Sequence, residues 1–485
     1  MYEKYEIVMG LETHIRIKSQ TKMFCSCKNS LELAGEPNES TCPVCMGFPG
    51  MLPVLNEEVV NLAVRAGHAM KCIINEKSEF DRKSYFYPDS PSGYQITQLY
   101  HPIVEHGEVR TFVNGELVTF RINRMHIEND AGKLVHAGTK TLCDYNRAGG
   151  PLMEIVTEPD FRSKEEVIAY LEELQKIIRF SGASNADMDK GQLRCDVNIS
   201  LRLHGENVLN NRVEIKNMNS FAAIGRAIDT EFKRQVKLYE KGEKVEQETR
   251  GWNDEKGISN SLRSKEDAMD YRYFPEPDLP PLVLTKEYIE ARKINELPLD
   301  RRLKYLNEYK IGEDEARILS NERDISDYFE NLVKLTNDPK KSCSYVTSIL
   351  IKSILDYNNS SATGDNLNFG NIPFDISEMS EIIILTNKDE LSSTNAKIVV
   401  EELFKRGNSG KTSEIVDEFG LRQTNDTGAL EQVVKNVIEN NPTQLAEYKA
   451  GKVNLFGYFV GQAMKESKGQ GNPKIFTELL KKYLD

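Results

Sequence analysis

No stretch of this chain approaches the ~18 consecutive apolar residues of a membrane-spanning helix. The N-terminus, MYEKYEIVMGLETH, passes straight into a strand-like alternation without a signal-peptide h-region. Both absences set the expectation of a cytoplasmic protein with no membrane partner. Positive charge is also short. Lys and Arg number 63 against 75 Asp and Glu, a net charge of −12, which argues against a broadly basic surface that coats nucleic acid but leaves room for a local patch. A nucleotide phosphate loop is missing too. KRGNSGKTSE contains Ser409-Gly410-Lys411-Thr412, but Lys405 stands where the motif needs glycine and no strand precedes it. That segment reads as a linker. The composition that remains, 39% hydrophobic and 28% charged over 485 residues, suits a globular protein of about three domains at ~150 residues each.

The densest chemistry lies in residues 124–161, RMHIENDAGKLVHAGTKTLCDYNRAGGPLMEIVTEPDF. If extended, its side chains alternate faces, so His126, Glu128 and Asp130 share one face while Met125 and Ile127 turn to the core. The same period sets Glu154 between Leu152 and Val156. Acids set into apolar strands must be hydrogen-bonded, paired or metal-bound, because an isolated buried charge is costly. The first strand repeats the theme. Leu11, Thr13, Ile15 and Ile17 take one side, and Glu12, His14 and Arg16 the other, with Glu12 and His14 ~7 Å apart. They suit one metal or phosphate cluster, or a solvated edge.

Of eight cysteines, Cys25, Cys27, Cys42 and Cys45 cluster as C-x-C and C-P-V-C. This spacing fits a tetrahedral structural zinc site with no open position for catalysis. Disulfides are the competing reading, disfavoured in a cytoplasmic chain. Two helices carry start and stop signals: one opens at Asn56, the other has a Ser163/Glu166 capping box and Gly182 beyond its end. RCDVNISLRL alternates Cys195, Val197, Ile199, Leu201 and Leu203 inward against Arg194, Asp196, Asn198, Ser200 and Arg202 outward. RVEIK does the same with Glu214 and Lys216 on the polar side. This is the pattern of an antiparallel sheet with one packed and one polar face. Acids, amides and cations on such a face suit Mg²⁺ with nucleotide phosphates. In the loop-like FDRKSYFYPDSPSG, Arg82, Lys83 and Tyr85 either face phosphate or form an exposed charged turn. From about Leu297 the chain reads as helical. Near its end Lys449, Lys452, Lys465, Lys468, Lys474, Lys481 and Lys482 either hold an RNA backbone or form a solvated helical surface.

The segments MGLETH, FPGMLPVLN, FDRKSYFYPDSPSGYQITQ, HIENDAGK, DYNRAGGPLMEIVTEPD, GQLRCDVNISLR, EIKNMNSF, DYRYFPEPDLPPL and GYFVGQAMKESKGQGNP occur in order along nearly the whole chain. In these the sequence resembles the B-subunit family of the aspartyl/glutamyl-tRNA amidotransferases. Agreement is dense to about residue 285 and at the C-terminus, and thin between about 330 and 410. The resemblance implies an α+β chain: a glutamine-synthetase-like antiparallel-sheet cradle with a zinc knuckle (1–295), a helical domain (296–408) and a small helical tail that grips tRNA (409–485). It implies ATP, Mg²⁺ and structural Zn²⁺ as cofactors, and phosphorylation of the side-chain carboxylate of Glu-tRNA(Gln) and/or Asp-tRNA(Asn) by this ligase subunit. Ammonia from a partner glutaminase then displaces the phosphate.

The family's metal and phosphate-transfer positions fall on Glu12, His14, Glu128 and Glu154. Asn129 stands where many members carry a second acid. Its amide oxygen can coordinate Mg²⁺ but adds no charge, so Glu128 carries more weight. Arg82, Lys83, Tyr85, Arg194, Asp196, Asn198 and Lys216 are the expected nucleotide-binding residues. No Gly/Ser-rich amidase motif appears in the chain, so ammonia must come from elsewhere, and the resemblance implies a heterotrimer with an amidase-type A subunit and a small C subunit. Two rivals remain: a free-standing ligase for a small carboxylate, and a zinc-stabilised RNA scaffold without chemistry.

Overall fold

The computed structural model describes residues 2–29, 35–264, 270–294, 296–360, 366–424, 426–467 and 470–484. Lys468 and residues 265–269 of the proline-rich closing segment lie outside these. The chain divides into two compact units, Met1–Asp300 and Arg301–Asp485.

The first unit is built on a nine-stranded sheet: β1 (Tyr5–Arg16), β2 (Ile73–Ile74), β3 (Val104–Val113), β4 (Glu116–Asn129), β5 (Pro151–Thr157), β6 (Leu193–Leu203), β7 (Val213–Lys216), β8 (Glu248–Asn253) and β9 (Ile258–Ser264). Their spatial order is β9-β8-β7-β6-β1-β5-β4-β3-β2, so the N-terminal strand lies at the centre. The sheet is mixed, which corrects the expectation of a purely antiparallel one: β7 and β8 run parallel. The cause is the connection between them. A parallel pair needs a crossover, and helix α3 (Phe221–Glu240) supplies it.

Helices α1 (Glu57–Ala69) and α2 (Lys164–Ser181) share the core with α3. The Asn56 side chain accepts from the Glu58 N–H at 2.9 Å. Ser163 caps the Glu166 N–H at 3.2 Å, and Gly182 closes α2 with φ 75°, where a Cβ would be strained. The Glu166 carboxylate reaches the Arg162 N–H, one residue earlier than a standard capping box. Period-2 alternation gives the sheet two unlike faces. Leu11, Ile15, Met125, Ile127, Met153, Ile155, Cys195 and Val197 are buried with Val64, Leu171, Ile178 and Ile224 of the helices. Leu203, expected inward, is 43% exposed at the end of its strand. The opposite face carries the polar residues. A small sheet, Phe274–Pro275, Asp81–Ser84 and Tyr94–Thr97 in that order, lies beside it.

The second unit is helical and holds two apolar cores. One gathers Phe329, Met379, Val399 and Ile415, and the other Val434, Phe459, Phe476 and Leu480. Lys411 and Thr412 of the rejected phosphate-loop segment are both committed to Glu378, through Lys411 Nζ at 2.9 Å and the Thr412 N–H at 2.8 Å. No helix among the described residues is long and apolar enough to cross a membrane.

Candidate active site

Strand register assembles the site. His14 lies opposite Glu154 on β5 and Arg194 on β6, and Glu154 lies opposite His126 on β4. His126, Glu154, His14 and Arg194 therefore form one rung across four adjacent strands. Glu12 and Asp196 pair on the next rung of that face to one side, and Leu152 and Glu128 on the other. Residues separated by more than a hundred positions meet here because each strand contributes every second side chain to this face.

The two imidazoles bind the carboxylates into one cluster. His14 Nε2 lies 3.3 Å from Glu154 Oε2 and 3.8 Å from oxygens of both Glu12 and Glu128. His126 Nε2 lies 3.4 Å from Glu154 Oε2 and 3.7 Å from Glu128 Oε2. The Thr97 hydroxyl donates to Glu128 at 3.1 Å. Burial opposes charge on both histidines, but Glu154 and Glu128 outweigh it and lift each to about 9. The reciprocal effect holds Glu154 well below the usual carboxylate range, and Glu128 below it, against the burial that would raise them. Glu12 moves the other way, raised by burial and by Glu154. Its carboxyl gains less from His14 than it loses to both.

Ligand atoms of His14, Glu128 and Glu154 lie within 4.8 Å of one another, as do those of Glu12, His14 and Asp196. Hard carboxylate oxygens with one imidazole form a donor set that fits Mg²⁺. His14, Glu128, Lys83, Tyr85, Arg194, Asp196 and Lys216 line one cavity of about 690 Å³. Lys216 Nζ lies 2.5 Å from Asp196 and 3.1 Å from Glu214. Arg194 is exposed and makes no ion pair among the described residues. Asn198 opens instead into an adjacent cavity of about 790 Å³.

Two expected residues are spent elsewhere. Arg82 forks onto Glu276 at 2.7 and 2.9 Å, reaches Asp278 at 2.8 Å, and stacks 4.2 Å over the Tyr94 ring. It stands outside the set of residues that line the cavity. Asn129 alternates away from Glu128, and its amide oxygen accepts the Ile96 N–H at 2.6 Å.

The Sγ atoms of Cys25, Cys27, Cys42 and Cys45 lie within 4.8 Å of one another, and none is in a disulfide. The Cys42 N–H donates to Cys45 Sγ at 3.2 Å. The neighbouring Cys25 thiol lowers Cys45 to about 5. Four convergent sulfurs with one favoured as thiolate fit a structural Zn²⁺. Beneath them the fully buried Lys22 donates to Ser40 O at 2.7 Å and Tyr145 O at 3.3 Å, with Cys45 Sγ 3.7 Å away.

Two family models divide the chain: the GatB/GatE catalytic domain matches residues 7–290 and the GatB domain residues 327–484. The aspartyl/glutamyl-tRNA(Asn/Gln) amidotransferase B subunit 2 of Clostridium acetobutylicum is 44% identical, with 99% of each chain covered. The corresponding B subunit of Persephonella marina is also 44% identical, over 99% of this chain and all of its own. This chain belongs to the amidotransferase B-subunit family. Within this B-subunit chain the sequence alone left several site groups unassigned. His126 was placed on the right face, yet its bridging of Glu128 and Glu154 depends on β5 lying beside β4. Arg147 Nε lies 3.2 Å from Asp130, and the same guanidinium donates to Ala131 O and Gly132 O at 3.0 and 2.7 Å. An arginine flanked by the turn residues of DYNRAGG was the available signal for it. Thr97, on the small sheet, left none.

Proposed function

We propose that this chain is the ATP-dependent ligase subunit of a tRNA-dependent amidotransferase. It phosphorylates the side-chain carboxylate of Glu-tRNA(Gln), Asp-tRNA(Asn) or both, and ammonia then displaces the phosphate. One observation carries this reading: Glu12, Glu128 and Glu154 gather around His14 on the polar face, where His14 and Glu128 line a cavity that also presents Lys83 and Arg194. A carboxylate is a poor acyl donor until one oxygen becomes a phosphate. Its oxygen attacks the γ-phosphorus, the bond to the β-phosphate oxygen breaks and ADP departs. Ammonia then attacks the acyl carbon, the acyl–phosphate bond breaks, and the nitrogen loses a proton to give the amide. Mg²⁺, held by Glu12, His14, Glu128 and Glu154, would act as a Lewis acid on phosphate oxygens. Lys83 and Arg194 orient and neutralise phosphate charge.

On this reading the two-faced sheet is a glutamine-synthetase-like cradle (1–295), followed by a helical domain (296–408) and a tRNA-binding tail (409–485). Ammonia comes from an amidase-type A subunit, with a small C subunit completing a cytoplasmic heterotrimer, and Cys25, Cys27, Cys42 and Cys45 hold Zn²⁺. The test is amide formation on Glu-tRNA by the reconstituted complex with Mg-ATP and ammonium chloride, which bypasses the glutaminase. Loss of ATP-dependent product with Glu128→Gln, while tRNA binding persists, is the expected result. Full activity of that variant would move the chemistry off this sheet and favour the scaffold.

A further inference from the structure

The cysteine cluster is not remote from the chemistry. Cys45 itself lines the cavity of about 690 Å³, beside Asp130, Arg147 and Gly149. A metal staple that serves only the fold needs no ligand on that wall. Two layers of contacts make the join. The first ties the knuckle to the loop that starts at Cys143. The Asn38 amide donates to Cys143 O at 3.2 Å, and its oxygen accepts the Tyr145 N–H at 2.7 Å. Asn146 accepts the Ser40 N–H at 2.8 Å and donates to Glu36 O at 2.8 Å.

The second layer ties the same loop to the cavity wall. The Gly149 N–H donates to Asp130 O at 2.9 Å, and the Asp130 N–H to Gly150 O at 2.7 Å. Arg147 closes the turn on Asp130, Ala131 and Gly132. Gly149 has φ 81°, and a Cβ there would lie 3.2 Å from Cys45 Cβ, so the loop passes the sulfur ligand with no room for a side chain. Lys22 sits at the crossing. It is fully buried, so its ammonium must spend all three hydrogens. Ser40 O on the knuckle, Tyr145 O on the loop and Cys45 Sγ take them. One side chain therefore touches the knuckle, one of its sulfurs and the cavity loop at once.

We propose that Lys22 is a positioning residue that couples the knuckle to the nucleotide cavity, so that zinc on the four cysteines holds Arg147 and the Asp130 turn in the shape that binds Mg-ATP. The inference rests on the kinase reading above. It adds a task for the knuckle beyond stabilising the fold. Linkage makes that task reciprocal: the factor by which zinc raises ATP affinity is the factor by which ATP raises zinc affinity.

Both arms of the test use the reconstituted complex at fixed free Mg²⁺. In the first, a chromogenic chelator competes for zinc with and without saturating Mg-ATP. The wild type should hold zinc about fivefold or more tightly when Mg-ATP is present, and Lys22→Met less than about twofold more tightly. Comparing the two proteins cancels the zinc that the nucleotide itself binds. In the second arm, ammonium chloride is the nitrogen donor and zinc is saturating. Lys22→Met should raise the KM for ATP by about the factor seen in the first arm, while kcat and the KM values for Glu-tRNA and ammonium stay within about twofold. Gly149→Ala pushes the loop away from Cys45 and leaves Lys22 in place. It should give the same split if the methionine disturbs folding.

Zinc retention that ignores Mg-ATP in the wild type would overturn the proposal and leave the knuckle a staple of the fold. An unchanged KM for ATP in both variants, or a rise in the KM for Glu-tRNA in its place, would overturn it equally. Those failures leave the kinase reading intact as long as Glu128→Gln abolishes ATP-dependent product. An active Glu128→Gln variant would instead defeat the kinase reading itself.

Discussion

Replacing Arg82 with methionine should cost the first unit stability rather than ATP affinity. The side chain is 19% exposed and its fork closes on Glu276, whose carboxylate is fully buried. Removing one partner of such a pair leaves an uncompensated buried charge, a loss of roughly 3–5 kcal/mol. The Glu276 carboxylate keeps one backbone donor, the Asp278 N–H at 2.9 Å, which favours the lower half of that range. The contact to the more exposed Asp278 adds under about 1 kcal/mol. At ~2–4 °C per kcal/mol for a large domain, the Tm should fall by about 6–15 °C. Differential scanning calorimetry of the full chain reads this directly. Glu276→Gln in the same chain should return part of the loss, because the orphaned charge is gone. An unchanged Tm together with a tenfold higher KM for ATP would refute the reasoning and return Arg82 to the phosphate site.

The histidines predict a pH dependence. Metal-free His14 and His126 hold protons to about 9, above the ~6.5 of an unfolded chain. Because the folded value is the higher, their contribution is fully present below ~6.5 and is lost as pH rises through about 9. Glu128 and Glu154, lowered by the same contacts, contribute above ~4.3 and lose that contribution as pH falls through their folded values. Thermal stability of the metal-free chain should therefore decline between pH 6.5 and 9, and saturating Mg²⁺ should flatten the decline. A profile that ignores Mg²⁺ over this window counts against the cluster as a metal site. At the cysteine knuckle, Lys22→Met removes the only cation donating to Cys45 Sγ among the described residues, so zinc should be held about tenfold more weakly. Competition with a chromogenic chelator measures this, and unchanged retention would sink the assignment.

The polar face was legible because β1, β4 and β6 alternate in their site-bearing stretches, so Glu12 with His14, and His126 with Glu128, could be paired within their own strands, while in β5 Glu154 is the one acid between Leu152 and Val156. What alternation does not encode is which strands are neighbours. The bridging of Glu154 by His14 and His126, and the pairing of Asp196 with Lys216, follow from the strand order alone. Arg82 shows the opposite failure. A cation beside aromatics reads as a phosphate ligand until its buried partner, Glu276, is found almost two hundred residues away. Asn129 sits at the alternation's next step, so its amide turns to the backbone of Ile96 rather than to the acids. The parallel β7–β8 pair was hidden for a related reason. A polar face looks the same in either strand direction, and only the crossover through α3 settles the sense.

The central position of the first strand has a consequence for how the protein is made. β1 is made before both of its neighbours, which lie far downstream, beginning at Pro151 and Leu193. At ~5–20 residues per second, the wait from β1 to the end of β6 is on the order of 10–40 s. Until β5 emerges a twelve-residue strand with a row of apolar side chains has both edges open, and until β6 emerges one of them, the condition that favours pairing with the wrong chain. Such long-range closure is also slow for purely entropic reasons. Nascent chains stopped before Leu193 should therefore be the ones that chaperones retain, and release should coincide with the emergence of β6.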